Sequence, residues 1–436
     1  MEGDPLATPG TSNGAGSRPA GQPPAYESVV MADAVSSSSL AAGRDSNYRK
    51  SSEFEITVTD PVKQGERVAA YVTYKVRSKT SMSQYKQGSS EVIRRFRDFA
   101  WLYDKLHERY KGIIIPPLPE KNAVQKYQMS TEFIEQRRRG LQIFVNRVAA
   151  HPKLKYSNEL QLFLEATEDV WMMEVARMNQ ESGGAKKTIN NTMQFFKDLG
   201  HSATNLMAGK SDDEEEDPDY LKVREYLVHL ESHLIEAHRQ SARLIRKQGE
   251  LGIAVGEFGQ AAEKLGKFEE GSLQDAFVHL GNHAGDLSTV SRDSANSLSY
   301  QFEAPLKEFT RMMKSVRAVM ADRTNALSFL QQAKADLDAK RVKMNKLKST
   351  PGIKEEKVVE AERERDQADL RLQNARAAYE TIVERMNEEL ARFQKERAVE
   401  MSQVLRDFAL AQAQLASETA RSWSSLVTEL QPAAPA

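Results

Sequence analysis

Apolar and polar residues alternate in the segment that begins near residue 53. The alternation is clear over 54–58, and β-branched and aromatic residues are concentrated over 71–76 and again over 91–96. A period of two is typical of half-buried strands, while Asp60-Pro61 and Gly65 favour a turn after the first run. The pattern therefore predicts three strands.

Apolar residues at helical spacing follow over 99–106, 133–148 and 160–164. Such spacing is typical of amphipathic helices. Between the first two runs lies Pro116-Pro117-Leu118-Pro119, which excludes a helix interior or a central strand and predicts a partly polyproline II loop. We therefore expect a small α+β domain over residues 53–168.

The remainder of the chain has a long-helical pattern. From Val223 to Leu265 the seam positions step strictly by four and three, interrupted only by Ser241 and Gln248, and 43 helical residues extend about 64 Å. Two further helical runs follow, and Pro305 is expected to kink the first of them. Residues 219–430 are therefore predicted to form three long antiparallel helices, an elongated bundle whose residual apolar stripes close by dimerisation.

Three segments lack the apolar content of a core. Glycine, proline, serine and alanine fill 29 of the first 52 positions, so residues 1–52 are predicted to be a disordered tail. Residues 186–208 carry one apolar stripe, which predicts an amphipathic helix that includes Met193, Phe196 and Leu199. Residues 209–218 are an acidic linker.

Composition narrows the possible functions. The 436 residues include 61 Lys plus Arg against 62 Asp plus Glu, a net charge of −1, so a nucleic-acid-coating protein is not expected. The chain has no cysteine, no basic-apolar leader and no run of 18 apolar residues. We therefore expect a cytoplasmic protein that contacts membranes only peripherally.

Signatures of catalysis are weak. The Gly-containing stretch 182–188 lacks the Gly-Lys-Ser/Thr order of a phosphate loop. His229 with His233, and His279 with His283, are spaced to share a metal, but no third ligand is implied. We expect neither enzyme activity nor a metal or cofactor.

Basic residues in the α+β segment suggest anion binding. Arginine offers paired donors to phosphate oxygens, lysine a point charge, and an aromatic ring a packing face. Ordinary ion pairs with Asp98, Glu120 and Glu135 explain the same residues equally well. The proline loop suits an SH3-type groove, although the neighbouring Ile113, Ile114 and Ile115 favour insertion among lipid headgroups.

Three motifs together resemble a known domain: Arg94-Arg95-Phe96-Arg97-Asp98-Phe99, the loop 116–121, and Glu132-Phe133-Ile134-Glu135-Gln136-Arg137-Arg138. They are similar to a phox-homology (PX) domain. Followed by the long-helical half, the chain resembles the sorting nexins with a BAR domain over about residues 53–430.

The resemblance implies a lipid site. By position, Arg95 matches the ligand of the 3-phosphate, Phe96 the ring-stacking residue, Lys121 the ligand of the 1-phosphate, and Arg137 the contact to the inositol hydroxyls. The implied ligand is phosphatidylinositol 3-phosphate, with the 3,5-bisphosphate as a second.

Two further segments fit membrane contact. The turn after the second long helix is basic and would lie at the tip of a BAR dimer, where anionic lipid attracts such clusters; its residues are Lys340, Arg341, Lys343, Lys346 and Lys348. The amphipathic helix could lie in the interface plane. Plainly solvated charges and a plain linker helix stay open as alternatives.

The resemblance implies a non-enzymatic, peripheral endosomal protein that senses or imposes curvature. Its implied partners are anionic curved membrane, a second PX-BAR chain (the same or another) and the retromer core complex. A coiled-coil scaffold that binds protein through its proline loop remains the alternative.

Overall fold

The computed structural model describes residues 53–65, 70–86, 88–120, 130–181, 217–351 and 354–431. The predicted tail 1–52 and amphipathic helix 186–208 lie outside these ranges, as do all but the last two residues of the acidic linker. The described chain forms an α+β domain (residues 53–181) and a helical domain (residues 217–431).

The α+β domain contains a three-stranded antiparallel sheet, as the alternation predicted. Its strands are β1 (Phe54–Gln64), β2 (Tyr71–Thr80) and β3 (Ser89–Arg95), in the order β1-β2-β3. The turn lies later than expected, because β1 continues past Pro61 through a register shift between Thr59 and Val62. Such a bulge accommodates a proline, which cannot donate a ladder hydrogen bond.

In its described residues this domain also contains four α-helices and a short 3-10 turn, Leu154–Tyr156: α1 (Phe96–Arg109), α2 (Thr131–Ala150), α3 (Asn158–Glu165) and α4 (Glu168–Glu181). Serine side chains cap two of them: Ser130 accepts from the Phe133 amide and Ser157 from the Leu160 amide. Their apolar faces meet at Phe99, which makes edge contacts with Phe144 and Phe163.

The helical domain follows the three predicted runs. Its helices are α5 (Pro218–Gly266), α6 (Ser272–Leu298), α7 (Ala304–Lys348) and α8 (Glu355–Glu429). A single π-helical turn, Ser299–Glu303, joins α6 to α7 just before Pro305, so the irregularity expected near this proline is present. The 75 residues of α8 extend about 110 Å.

Helix α5 buries different residues along its length. Val223, Leu227 and Leu234 lie in a core shared with α7 and α8, as the seam predicted. Further along, Gly252 and Gly259 face α6 instead, and a Cβ on Gly259 would meet Ala284 Cβ at 2.8 Å. The missing side chains let the two helices approach closely. The large apolar seam residues of this stretch stay 46–62% exposed: Leu244, Leu251, Phe258 and Leu265.

The predicted insertion of Ile113, Ile114 and Ile115 into lipid is wrong, because all three are buried, at 2–3% exposure. Ile113 and Ile115 belong to the core of the α+β domain, whereas Ile114 belongs to the core of the helical domain. The run is therefore the apolar contact between the two domains.

Two buried carboxylates of the helical domain accept hydrogen bonds from residues 111–114. Asp322 accepts from Lys111 Nζ at 2.9 Å and from the Gly112 amide at 3.4 Å. Gly112 has φ 82°, and a Cβ on it would lie 2.9 Å from the Ile382 carbonyl oxygen. Only glycine adopts this backbone readily and leaves room for α8.

Glu389 is the second carboxylate and is 3% exposed in its side chain. It accepts from the Ile114 amide at 3.1 Å, from His151 at 3.1 Å and from Arg392 at 2.6 Å. Burial alone would raise the pKa of Glu389, but the hydrogen bonds from His151 and Arg392 lower it to about 2. A charged carboxylate is thus held between the domains.

The hydrogen bonds around His151 assign its tautomer. Nδ1 accepts from the backbone amides of Lys153 and Leu154, so the ring proton lies on Nε2 and is donated to Glu389. Burial lowers the pKa of His151. The imidazole between the domains is therefore neutral at physiological pH.

Arg94 is a buried structural residue. Its side chain donates to the carbonyl oxygens of Phe163 and Ala166 at 3.1 and 2.6 Å, and its guanidinium lies 4.4 Å from the Trp171 ring centroid. Burial lowers the pKa of Arg94 to about 10, so it stays charged at pH 7. Arg94 thereby ties β3 to α3 and α4.

We expect Arg94→Ala to lower the free energy of unfolding by about 2–4 kcal/mol, because buried carbonyls lose their donors. Arg95→Ala, the control at a half-exposed neighbour, should change it by less than about 0.5 kcal/mol. Urea unfolding followed by tryptophan fluorescence measures both. Equal midpoints would contradict the structural role of Arg94.

We expect acidification to weaken the domain contact through His151. The unfolded chain has an ordinary histidine pKa of about 6.5, and the folded pKa of His151 lies below it. The contribution of His151 to the free energy of unfolding is therefore complete above about pH 6.5, and it is lost as the pH falls from there through the folded pKa. Thermal unfolding at pH 7.5 and 5.5 should therefore show a larger loss for wild type than for His151→Gln, which keeps a donor but does not titrate. Identical losses would refute the assignment.

Candidate functional site

Arg95 and Phe96 lie where β3 ends and α1 begins. Strand alternation turns Arg94 inward and Arg95 outward, leaving 45% of the Arg95 side chain exposed. The Arg95 amide donates to Asp98 Oδ2 at 2.8 Å, which fixes the start of the helix. The Arg95 side chain is therefore half-exposed at the junction between β3 and α1.

Arg137, on α2, lies against the same junction. Its guanidinium carbon is 4.6 Å from the Phe96 ring centroid and 4.3 Å from that of Phe133, and Nη2 donates to the Glu120 carbonyl at 3.2 Å. Burial lowers the pKa of Arg137, yet an arginine stays protonated. Its Nε is buried and has no hydrogen-bond partner among the described residues.

The two arginines that follow Arg137 do not belong to the site. Arg138 donates to the Val58 carbonyl and to Glu135, and Arg139 pairs with Glu135 as well. The hydrogen bond from Arg138 is the main reason that the pKa of Glu135 falls to about 2. The expectation of ordinary ion pairs thus describes Arg138 and Arg139, and also Arg95, whose Nε lies 3.8 Å from Asp98 Oδ1. It does not describe Arg137.

Two tyrosines of β2 adjoin the site and carried no sequence signal. Arg95 lies 5.6 Å from the Tyr71 ring centroid, since Thr73 pairs with Arg95 in the sheet and Tyr71 lies on the same face. The Tyr74 hydroxyl is buried without a hydrogen-bond partner in the described part of the chain. Burial raises the pKa of Tyr74 to about 12 against the opposing charges of Arg137 and Arg138.

The site therefore combines two cations from different elements with an aromatic face. Guanidinium groups offer several donors to phosphate oxygens, and a ring face packs on a flat hydrophobic surface. Of the four residues implied by the resemblance, the structure places Arg137 against the ring of Phe96, which directly follows Arg95 in the chain. Lys121 lies outside the described residues, as do Met193, Phe196 and Leu199.

The basic cluster at the α7–α8 turn is mostly paired with carboxylates. Lys340 and Lys343 both contact Glu364, while Lys348 contacts Glu362. Arg341 lies within 4 Å of Asp338 and Asp369, and Lys346 is exposed. The local net positive charge at this turn is therefore smaller than the basic residues alone suggest. Membrane contact at the turn stays a prediction.

The histidine pairs form hydrogen bonds or lie in solvent. His279 and His283 both contact Glu429, at 2.9 and 3.1 Å, and His229 is 67% exposed. Across the described ranges no group of three or more histidine, aspartate or glutamate side chains is arranged to hold a metal ion. Nor does any helix within those ranges combine the length and apolar character that a membrane span requires.

Comparison with known proteins matches a family to each of the two domains. The family described as "PX domain" matches residues 82–167, and that described as "Vps5 C terminal like" matches residues 192–429. Sorting nexin 1 of Arabidopsis thaliana is 40% identical over 86% of this chain and 92% of its own length. Sorting nexin 2B of the same plant is 28% identical over 94% of this chain and 82% of its own length.

A solved structure shares the fold. It is described as "The cryo-EM structure of the SNX-BAR Mvp1 tetramer", and it superposes with a TM-score of 0.58 at 17% identity, covering 85% of this chain and 99% of its own. The α+β domain is thus a PX domain and the helical domain is BAR-like. On these residues, this architecture and this similarity, the chain belongs to the sorting nexins of the PX-BAR family and has a role in membrane trafficking.

Proposed function

We propose that the chain binds phosphatidylinositol 3-phosphate through its PX domain and acts on curved endosomal membrane. The observation that carries this proposal is the contact of Arg137, on α2, with the ring of Phe96, which begins α1 directly after Arg95. Arg95 would bind the 3-phosphate, Phe96 would pack on the inositol ring, and Arg137 would contact its hydroxyls. Lys121 would reach the 1-phosphate.

Burial of the proline loop argues against a protein ligand at this loop. In the proline loop, Pro116, Pro117 and Pro119 are buried, whereas Leu118 is partly exposed and Glu120 is exposed. An SH3-type groove reads exposed proline faces, which this loop does not present. The scaffold alternative therefore loses the surface it requires.

The BAR-like domain would supply a second, weaker contact, and two such contacts on one membrane multiply into a stronger one. We further propose that the chain works on the cytosolic face of endosomes, with the retromer core complex, as a non-enzymatic adaptor. Its PX domain would select the lipid, and the BAR dimer would sense or impose curvature.

Dimerisation is supported by an exposed apolar stripe on α5. Leu244, Leu251, Phe258 and Leu265 recur every seven residues and are 46–62% exposed. A seven-residue apolar repeat on a helix surface is typical of a helix–helix interface. A second PX-BAR chain, identical or related, is the partner that this stripe suits.

We expect Arg95→Ala to abolish the binding of vesicles that depends on phosphatidylinositol 3-phosphate, because the 3-phosphate loses its paired donor. Co-sedimentation with phosphatidylcholine–phosphatidylserine vesicles, with and without that lipid, measures the effect. Arg97→Ala removes a neighbouring exposed arginine and is the matched control, which should bind normally. Equal losses in both variants would indicate charge alone and contradict a specific site.

We expect Leu251→Glu to shift the chain toward monomer, since a charge would be buried in the proposed interface. Val342→Glu changes an equally exposed apolar residue on α7, outside the stripe, and should leave the dimer intact. Sedimentation velocity over a concentration series distinguishes these results. A dimer that tolerates Leu251→Glu would remove the α5 stripe from the interface.

A further inference from the structure

Glu120 connects the candidate lipid site to the BAR-like domain. Its backbone carbonyl accepts the hydrogen bond from Arg137 Nη2 at 3.2 Å. Its carboxylate lies 3.5 Å from Nζ of Lys314, which belongs to α7. One residue at the end of the proline loop therefore contacts a cation from each domain.

The contacts of Arg137 show how Glu120 affects the orientation of its guanidinium. The rings of Phe96 and Phe133 hold the guanidinium at 4.6 and 4.3 Å. Ring contacts of this kind fix a distance from the ring face but define direction within that plane weakly. The hydrogen bond to the Glu120 carbonyl supplies that direction, because N–H donors prefer nearly linear geometry.

Glu120 is itself held from two sides. On one side, Pro119 packs so closely on α2 that a Cβ at Gly140 would lie 2.8 Å from Pro119 Cγ. On the other side stands Lys314, whose side chain is 40% exposed. A second contact from the same domain lies nearby, where Arg139 is 4.6 Å from the Tyr300 ring centroid.

We propose that Lys314 is a positioning residue for phosphoinositide binding. Acting through Glu120, it orients Arg137 without contacting the lipid, so the BAR-like domain contributes to the affinity of the PX site. This inference rests on the proposed function. It means that lipid recognition depends on the docking of the two domains.

Glu120→Gln separates positioning from simple electrostatics. If Lys314 and Glu120 acted only by their charges on an anionic lipid, removing the lysine would weaken binding and removing the glutamate would strengthen it. If they act as a pair that orients Arg137, both single substitutions weaken binding. The double variant then loses no more than either single one, because the pair is already broken.

The experiment measures the full chain on phosphatidylcholine–phosphatidylserine vesicles with and without phosphatidylinositol 3-phosphate. We expect Lys314→Gln and Glu120→Gln each to raise the Kd of the lipid-dependent component about two- to fivefold, as a half-exposed ion pair allows. Lys247→Gln is the matched control, since this exposed lysine pairs with Glu250 on its own helix, α5.

The outcomes separate this inference from the function it rests on. Tighter binding by Glu120→Gln, or additive losses in the double variant, would overturn the positioning role while Arg95→Ala still abolishes binding. If Arg95→Ala has no effect, the lipid site itself is refuted. Weakening in both single variants, without change in Lys247→Gln, supports the proposal.

Discussion

The whole arrangement depends on a carboxylate held away from water between two domains. Isolated burial of a charge costs several kcal/mol, and burial is tolerable only when hydrogen bonds satisfy the charge. Glu389 obtains its donors from both sides of the joint: the Ile114 amide and His151 from one domain, and Arg392 from its own helix. Separation of the domains would remove two of those donors. The contact between the two domains therefore has a specific hydrogen-bond geometry in addition to its apolar packing.

Much of this architecture could be predicted from periodicity. A period of two marked the strands, and steps of three and four marked the long helices, because these patterns follow from backbone geometry alone. The same logic separates Arg94 from Arg95: adjacent residues of a strand face opposite sides, so one arginine is structural and the other is available to a ligand.

Other features could not be predicted because they depend on what each segment meets in space. Three consecutive isoleucines suit a membrane and a domain interface equally well, and only the presence of α7 and α8 decides between them. The seam of α5 changes partners halfway, since Gly252 and Gly259 offer α6 a close approach that a count of apolar positions overlooks. Tyr71 joins the site through sheet pairing with a distant segment.

The left-handed glycine at the joint has an evolutionary consequence. Gly112 brings the loop against the backbone of α8, where a Cβ would lie 2.9 Å from the Ile382 carbonyl oxygen. Any replacement would both strain the loop and push the domains apart. Another PX module grafted onto this helical half would meet the same clash unless it carried glycine at this position. One residue thus restricts which modules can be exchanged.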